Sequence, residues 1–106
     1  MSKYLWCVSY TTEGAKGLLK EGGTGRREAV EKMAADLGAR IESFHFAFGE
    51  YDAYLIADIP DNTTAAAISL AVSAMGAARM KTVVLMTPEE IDTATKTSVA
   101  YRAPGK

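Results

Sequence analysis

Apolar and polar residues alternate along four stretches of the chain, the period of a β-strand. From Lys3 to Tyr10, the set Tyr4, Trp6, Val8 and Tyr10 interleaves with Lys3, Leu5, Cys7 and Ser9. Both sets are largely apolar, which predicts a strand buried on both faces and therefore central. Within Ile41 to Ile59, Phe44, Phe46 and Phe48 alternate with Ser43, His45 and Ala47. After Gly49-Glu50, Tyr51, Ala53, Leu55 and Ala57 alternate with Asp52, Tyr54, Ile56 and Asp58. Two such runs joined by two residues, Gly first, predict a hairpin on a type II′ turn. That turn sets Phe48 opposite Tyr51, Phe46 opposite Ala53 and Phe44 opposite Leu55, an aromatic slab. The other face pairs Ala47 with Asp52, His45 with Tyr54 and Ser43 with Ile56. Met80 to Met86 is the fourth strand, and the SVAY segment within Thr97 to Ala103 suggests a brief extra one.

Helical spacing fills the intervals. Thr11 and Thr12 are N-cap types and Glu13 suits a first turn, so a short helix runs through Lys20, weakened by Gly14 and Gly17. A second helix starts at Thr24, with Val30, Met33, Ala34 and Leu37 as its apolar stripe and Gly38 just past its end. Asp61 caps a third, which sets Ala65, Ile68, Ala71, Val72 and Met75 on one face and stops at Gly76. Thr87-Pro88-Glu89-Glu90 is a capping box opening a short helix to about Thr95.

The order β, α, β, β, α, β supplies helices for only one face of a sheet. Right-handed connections then give an α+β, ferredoxin-like βαββαβ fold with a four-stranded antiparallel sheet, in which strands one and three are expected at the centre and parallel to each other. The uncovered face, with Tyr54 and Ile56, needs a partner. Packing two such faces together makes a dimeric α+β barrel, with the tail from Thr97 lying along the second subunit. Residues 1–106 read as a single domain, with a core over 3–92 and a C-terminal extension over 93–106.

Composition narrows the partners. A chain of 106 residues buries roughly 60–70% of its unfolded surface in one core. A net charge of -1 argues against nucleic-acid binding, which requires a Lys/Arg excess. No apolar run approaches the ~18 residues of a membrane span, and the first residues lack the pattern of a signal peptide. Cys7 is the single cysteine, so no internal disulfide forms, and the expected compartment is the cytoplasm. The expected partners are a second copy, as a homodimer or a multiple of dimers, and a small molecule. One His and no cysteine pair give no support for a metal site, and no cofactor is expected.

Six residues are candidates for chemistry. His45, Asp52 and Tyr54 could form an acid/base cluster on one sheet face, with His45 the natural proton shuttle near neutral pH. The plainer reading makes His45 and Tyr54 hydrogen-bonded interface residues and gives Asp52 to turn amides. Tyr51, Arg26 and Phe46 are candidate ligand contacts. Arg26 begins a helix after Gly22-Gly23-Thr24-Gly25, where an anion would be welcome, although the Lys-Ser/Thr ending of a P-loop is missing. A solvated ion pair to Glu28 or Glu31 is the plainer role for Arg26 or Arg27. The Phe residues with Met33 and Met75 either fill the core or line an apolar pocket between sheet and helices.

The succession of a strand ending in YTTEG, a Gly-rich break, an Arg-led helix, GEYDAYLIADIPD, an Ala-rich helix, a strand and TPEEI resembles the GYD-domain proteins. Their signature Gly-x-Tyr-Asp stands here as Gly49-Glu50-Tyr51-Asp52, and the likeness runs from Tyr4 to about Asp92. Thr24-Gly25 departs from the Ser/Pro expected before the Arg. The resemblance implies a dimeric α+β barrel. The wider barrel group includes cofactor-free oxygenases and isomerases as well as ligand-binding modules, so it bears on fold more than on function. Two readings follow: a homo-oligomeric small-ligand-binding or assembly module, and a cofactor-independent oxygenase or isomerase acting on a small aromatic or quinone-like substrate.

Overall fold

The alternating segments become the strands β1 (Ser2–Tyr10), β2 (Arg40–Phe46), β3 (Ala53–Ile59) and β4 (Ala78–Leu85) in a computed structural model that describes residues 1–106. Helices α1 (Thr12–Glu21) and α2 (Gly23–Asp36) connect β1 to β2. Helix α3 (Asn62–Met75) connects β3 to β4, and α4 (Pro88–Thr95) follows β4. The strands form one sheet in the order β2-β3-β1-β4, a ferredoxin-like α+β arrangement.

The central strands are β1 and β3, as expected, but they run antiparallel rather than parallel. The helical crossover returns β2 parallel to β1 with a one-strand gap between them. The hairpin then reverses the chain, so the strand filling that gap opposes both neighbours.

Hairpin register follows the alternation. Phe44 faces Leu55, His45 faces Tyr54, Phe46 faces Ala53 and Ser43 faces Ile56. The turn differs. The strands stop at Phe46 and Ala53, and Gly49 is not among the residues with positive φ, so no type II′ turn forms. The backbone N–H of Ala47 still donates to the carbonyl of Asp52 at 2.9 Å, while Phe48 is fully solvated rather than part of an aromatic slab. Asp52 explains the wider loop. Its N–H donates to the Val8 carbonyl and its Oδ2 accepts from the Tyr10 N–H, both at 2.8 Å, so the loop is tied sideways to β1. Farther along β2 the register slips between Ile41 and Ser43, which leaves Glu42 unpaired in a bulge.

All three of α1, α2 and α3 lie on the face that carries Tyr4, Trp6 and Val8 of β1 and Ala53, Leu55, Ala57 and Ile59 of β3. Those residues are buried together with Ala34, Ala65 and Ile68 from the helices. Small residues on both sides let the helix backbones approach the sheet. The caps form where the sequence places them: Asp61 accepts from the Thr64 N–H at 2.8 Å, and Thr87 and Glu90 form a reciprocal capping box.

Gly14 has a role that helix propensity alone hides. A Cβ there would lie 1.9 Å from the Ala77 carbonyl oxygen. The first turn of α1 is pressed against the α3–β4 junction, where the Thr11 N–H donates to the Ala77 carbonyl and the Thr11 hydroxyl to the Gly76 carbonyl. At the other end, α1 meets α2 through Gly22, whose φ of 83° only glycine adopts without strain. Leu37, expected on the apolar stripe of α2, sits past its last turn and is exposed.

The opposite face has no helix. It carries Leu5 and Cys7 of β1, Tyr54 and Ile56 of β3, and Arg79, Lys81, Val83 and Leu85 of β4, placed there by the pairing register. At one end, Lys3 Nζ bonds Glu42 at 2.8 Å and Asp58 at 3.0 Å, and Arg40 bonds Asp58 at 2.6 Å. The bulge brings Glu42 into this cluster. The segment from Thr97 to Ala103 forms no strand. Its Val99 and Tyr101 are exposed, and it does not pair with the open edge of β4.

Candidate ligand-binding site

Between the sheet and the three packed helices lies an open cavity of about 380 Å³. Its floor is Trp6, Val8, Leu55 and Met80 from the sheet, and Val30, Met33, Ile68 and Val72 close it from the helices. The volume falls in the range of pockets for small molecules, ~300–1,000 Å³. The opening exists because α1 is held by its ends. Thr11 and Gly14 dock it at one end, Gly22 turns it at the other, and none of its residues is buried.

The polar groups in this greasy lining are few. Trp6 is 2% exposed, and its indole N–H has no acceptor. The hydroxyl of Thr82, the cross-strand neighbour of Trp6 in the register, is likewise buried without a partner. An unsatisfied buried donor typically costs about 1–3 kcal/mol. Thr82 does not line the cavity, whose other polar residues are Tyr10, Arg26, Glu13 and Glu21. Arg26 Nε lies 3.5 Å from Glu21 Oε2, yet it is not aligned for a hydrogen bond and is itself buried without a partner. The Tyr10 phenol titrates above its ordinary range. Burial is the main cause, the carboxylates of Asp52 and Glu21 add to it, and the Arg26 charge opposes it.

The candidates from the sequence separate. Arg26 lines the cavity. Phe46 does not. Its ring stacks near Phe44, with centroids 5.1 Å apart, and lies over Gly23 at the start of α2. Tyr51 packs edge-on against Tyr54 at 5.9 Å, at the hairpin end. His45 and Tyr54 stand opposite one another on the uncovered face. His45 also lines a second, polar groove of about 400 Å³ along the outer edge of β2, with Arg27 and Glu31, but Tyr54 and Asp52 do not. One oxygen of the Asp52 carboxylate is engaged with the Tyr10 N–H, and of the three proposed acid/base groups only His45 lines this groove. The ion pairs are Arg26 to Glu21 and Arg27 to Glu31, the latter at 3.9 Å.

Sequence reasoning missed Trp6 and Tyr10. Both sit at alternate positions of a buried strand and read as core. The available signal was that Trp and Tyr carry a polar atom that needs a partner when buried. No three or more His, Cys, Asp or Glu side chains converge as metal ligands, and no helix is long and apolar enough to cross a membrane.

The helix-backed antiparallel sheet, with a cavity under its helices, defines an α+β domain of the ferredoxin-like class. Residues 4–95 match the GYD domain, and the chain belongs to that family. No curated protein and no solved structure matches the chain. The Gly49-Glu50-Tyr51-Asp52 signature has a structural meaning here: its Asp fastens the hairpin loop to the end of β1, beside the cavity's Tyr10.

Proposed function

We propose that this GYD-domain protein is a homo-oligomeric binder of a small, mainly apolar molecule that carries one hydrogen-bond acceptor, such as a carboxylate or carbonyl. The observation that carries the reading is the 380 Å³ apolar cavity itself, floored by Trp6 and flanked by Arg26 and Tyr10, with the buried indole N–H of Trp6 left unpartnered beside it. An acceptor on the ligand would offset the cost of that orphan donor. Arg26 and the neutral phenol of Tyr10 are the groups that would hold an anionic head at the cavity's polar side. The apolar body would sit against Val30, Met33 and Val72.

Homodimerisation belongs to the same reading. Leu5, Ile56, Val83 and Leu85 make an apolar centre on the helix-free face, and a two-fold axis lets one such face cover another. The charged cluster around Asp58 would then mark the rim.

Trp6 is the single tryptophan, so its emission reports occupancy directly. Titration with 1-naphthoate or octanoate should give a saturable change with a Kd below about 1 mM. Val72→Phe, which fills the cavity, should abolish it, and Arg26→Ala should weaken it about tenfold. Emission that ignores both compounds, or an unaltered response in Val72→Phe, would remove the proposal.

A further inference from the structure

The last residues of the chain do not behave as part of its domain. A compact chain of this length has a radius of gyration of about 13 Å, whereas this one measures 17.0 Å and extends 56 Å along its longest axis against 33 and 23 Å along the others. The excess lies in α4 and the tail beyond it. No residue of α4 is buried, and Met86, Ile91, Val99 and Tyr101 are all exposed. An isolated helix of eight residues is marginal in water. This one nevertheless carries a complete capping box, Pro at its start, and threonine hydroxyls bonded back to its own carbonyls. Its ends are specified while its packing partner is missing from its own chain.

Charge suggests where that partner lies. Arg79 and Lys81 stand on the helix-free face of β4, and neither makes an ion pair. Glu89 and Asp92 on α4 are unpaired as well. Within one protomer these groups do not meet. Arg79 lies near the start of β4 and α4 leaves from its end, roughly 20 Å away at the rise of a strand. A two-fold axis perpendicular to the strands would run the two β4 strands in opposite senses and bring the α4 of one copy toward the start of β4 in the other.

We propose that residues 87–106 form an exchanged arm. Each copy lays α4 and the tail along the β4 border of the helix-free face of a second copy, beside the face-to-face contact, with Ile91, Val99 and Tyr101 extending its apolar centre. Glu89 and Asp92 face Arg79 and Lys81 of that copy. The inference rests on the dimer reading above and adds that the arm, not the sheet face alone, sets affinity and register.

Three measurements on the full chain and its variants test it. Hydrogen exchange at micromolar concentration should show the amides of α4 protected, with protection lost on dilution to monomer. Removal of residues 87–106 should weaken dimerisation at least tenfold by analytical ultracentrifugation. Should the shortened chain fail to fold, Ile91→Asp with Tyr101→Asp should give the same loss in the full chain. Lys81→Glu and Asp92→Lys should each weaken the dimer, and together restore it. A dimer whose α4 amides exchange freely, or whose affinity survives the loss of the arm, overturns the arm and leaves the dimer reading standing. A full chain that stays monomeric at micromolar concentration overturns both.

Discussion

On the helix-covered side of the sheet, Tyr4, Trp6 and Ile59 are sealed, each at most 2% exposed. On the other side, Leu5, Ile56, Val83 and Leu85 remain only half-buried, with nothing above them. Both faces draw on the same strands, and on β1 the two residue sets look equally apolar. The difference lies in connectivity. Both crossovers pass on one side, so α1, α2 and α3 all land there, and the other side carries no helix. Burial on the first face stabilises the chain itself. On the second face, the same kind of side chain would contribute to association in the dimer proposed above.

The sharpest way to break this comparison is to truncate one large residue on each face. Trp6→Ala should cost the protomer about 3–5 kcal/mol in urea unfolding, because it removes a large buried side chain and enlarges the cavity that it floors. Leu5→Ser should cost the isolated protomer only about 1 kcal/mol, with its main effect on the dimer dissociation constant. Equal losses in protomer stability would mean that the two faces do not differ in kind.

Next in size is Gly14→Val. Its side chain would drive α1 off the Ala77 carbonyl, and a loss of about 1–3 kcal/mol in thermal unfolding is expected. Gly17→Ala, three residues on and with nothing within 4 Å, should be neutral or slightly stabilising. Similar losses at both glycines would show that helix propensity, not docking, governs α1.

The charged rim of the uncovered face gives a smaller effect that depends on pH. Hydrogen bonding from Lys3 holds the Asp58 carboxyl below its ordinary value of 3.8, and the Thr64 N–H does the same for Asp61. For carboxyls lowered by folding, the stabilisation is present above pH 3.8 and is lost as pH falls through the lower folded values. The Lys3 ammonium is raised above 10.5, chiefly by its bond to Glu42 and then by Asp58, so its contribution is full below that pH and fades as pH rises through the folded value. Urea midpoints measured across pH should therefore fall at the acid end, and Asp58→Asn should flatten that limb. An acid limb identical in Asp58→Asn would assign the loss to other carboxyls.

Smallest of all is Gly49→Val. The hairpin loop needs no positive φ there, and a Cβ would meet nothing within 4 Å. The change should stay within about 0.5 kcal/mol. Asp52→Ala, in the same signature, should cost more, because it releases the Tyr10 N–H.

Strand periodicity, the Asp61 and Thr87 caps and the stop at Gly76 are local features, and the sequence by itself determined the elements and their order. The register of Phe44 with Leu55 and His45 with Tyr54 was also legible, because a slip of one residue would turn the apolar set of β3 outward. Tertiary structure decided what depends on contacts distant along the chain. Asp52 leaves the hairpin for β1, which converts a two-residue turn into a wider loop and expels Phe48 into solvent. β3 enters the gap beside β1 and fixes an antiparallel centre. Gly14 meets Ala77, a residue from another connection, and the α1 that this contact suspends leaves the cavity in which Trp6 has no acceptor. Local spacing cannot carry such information, because whether a buried polar atom is satisfied depends on what three separate elements bring to it.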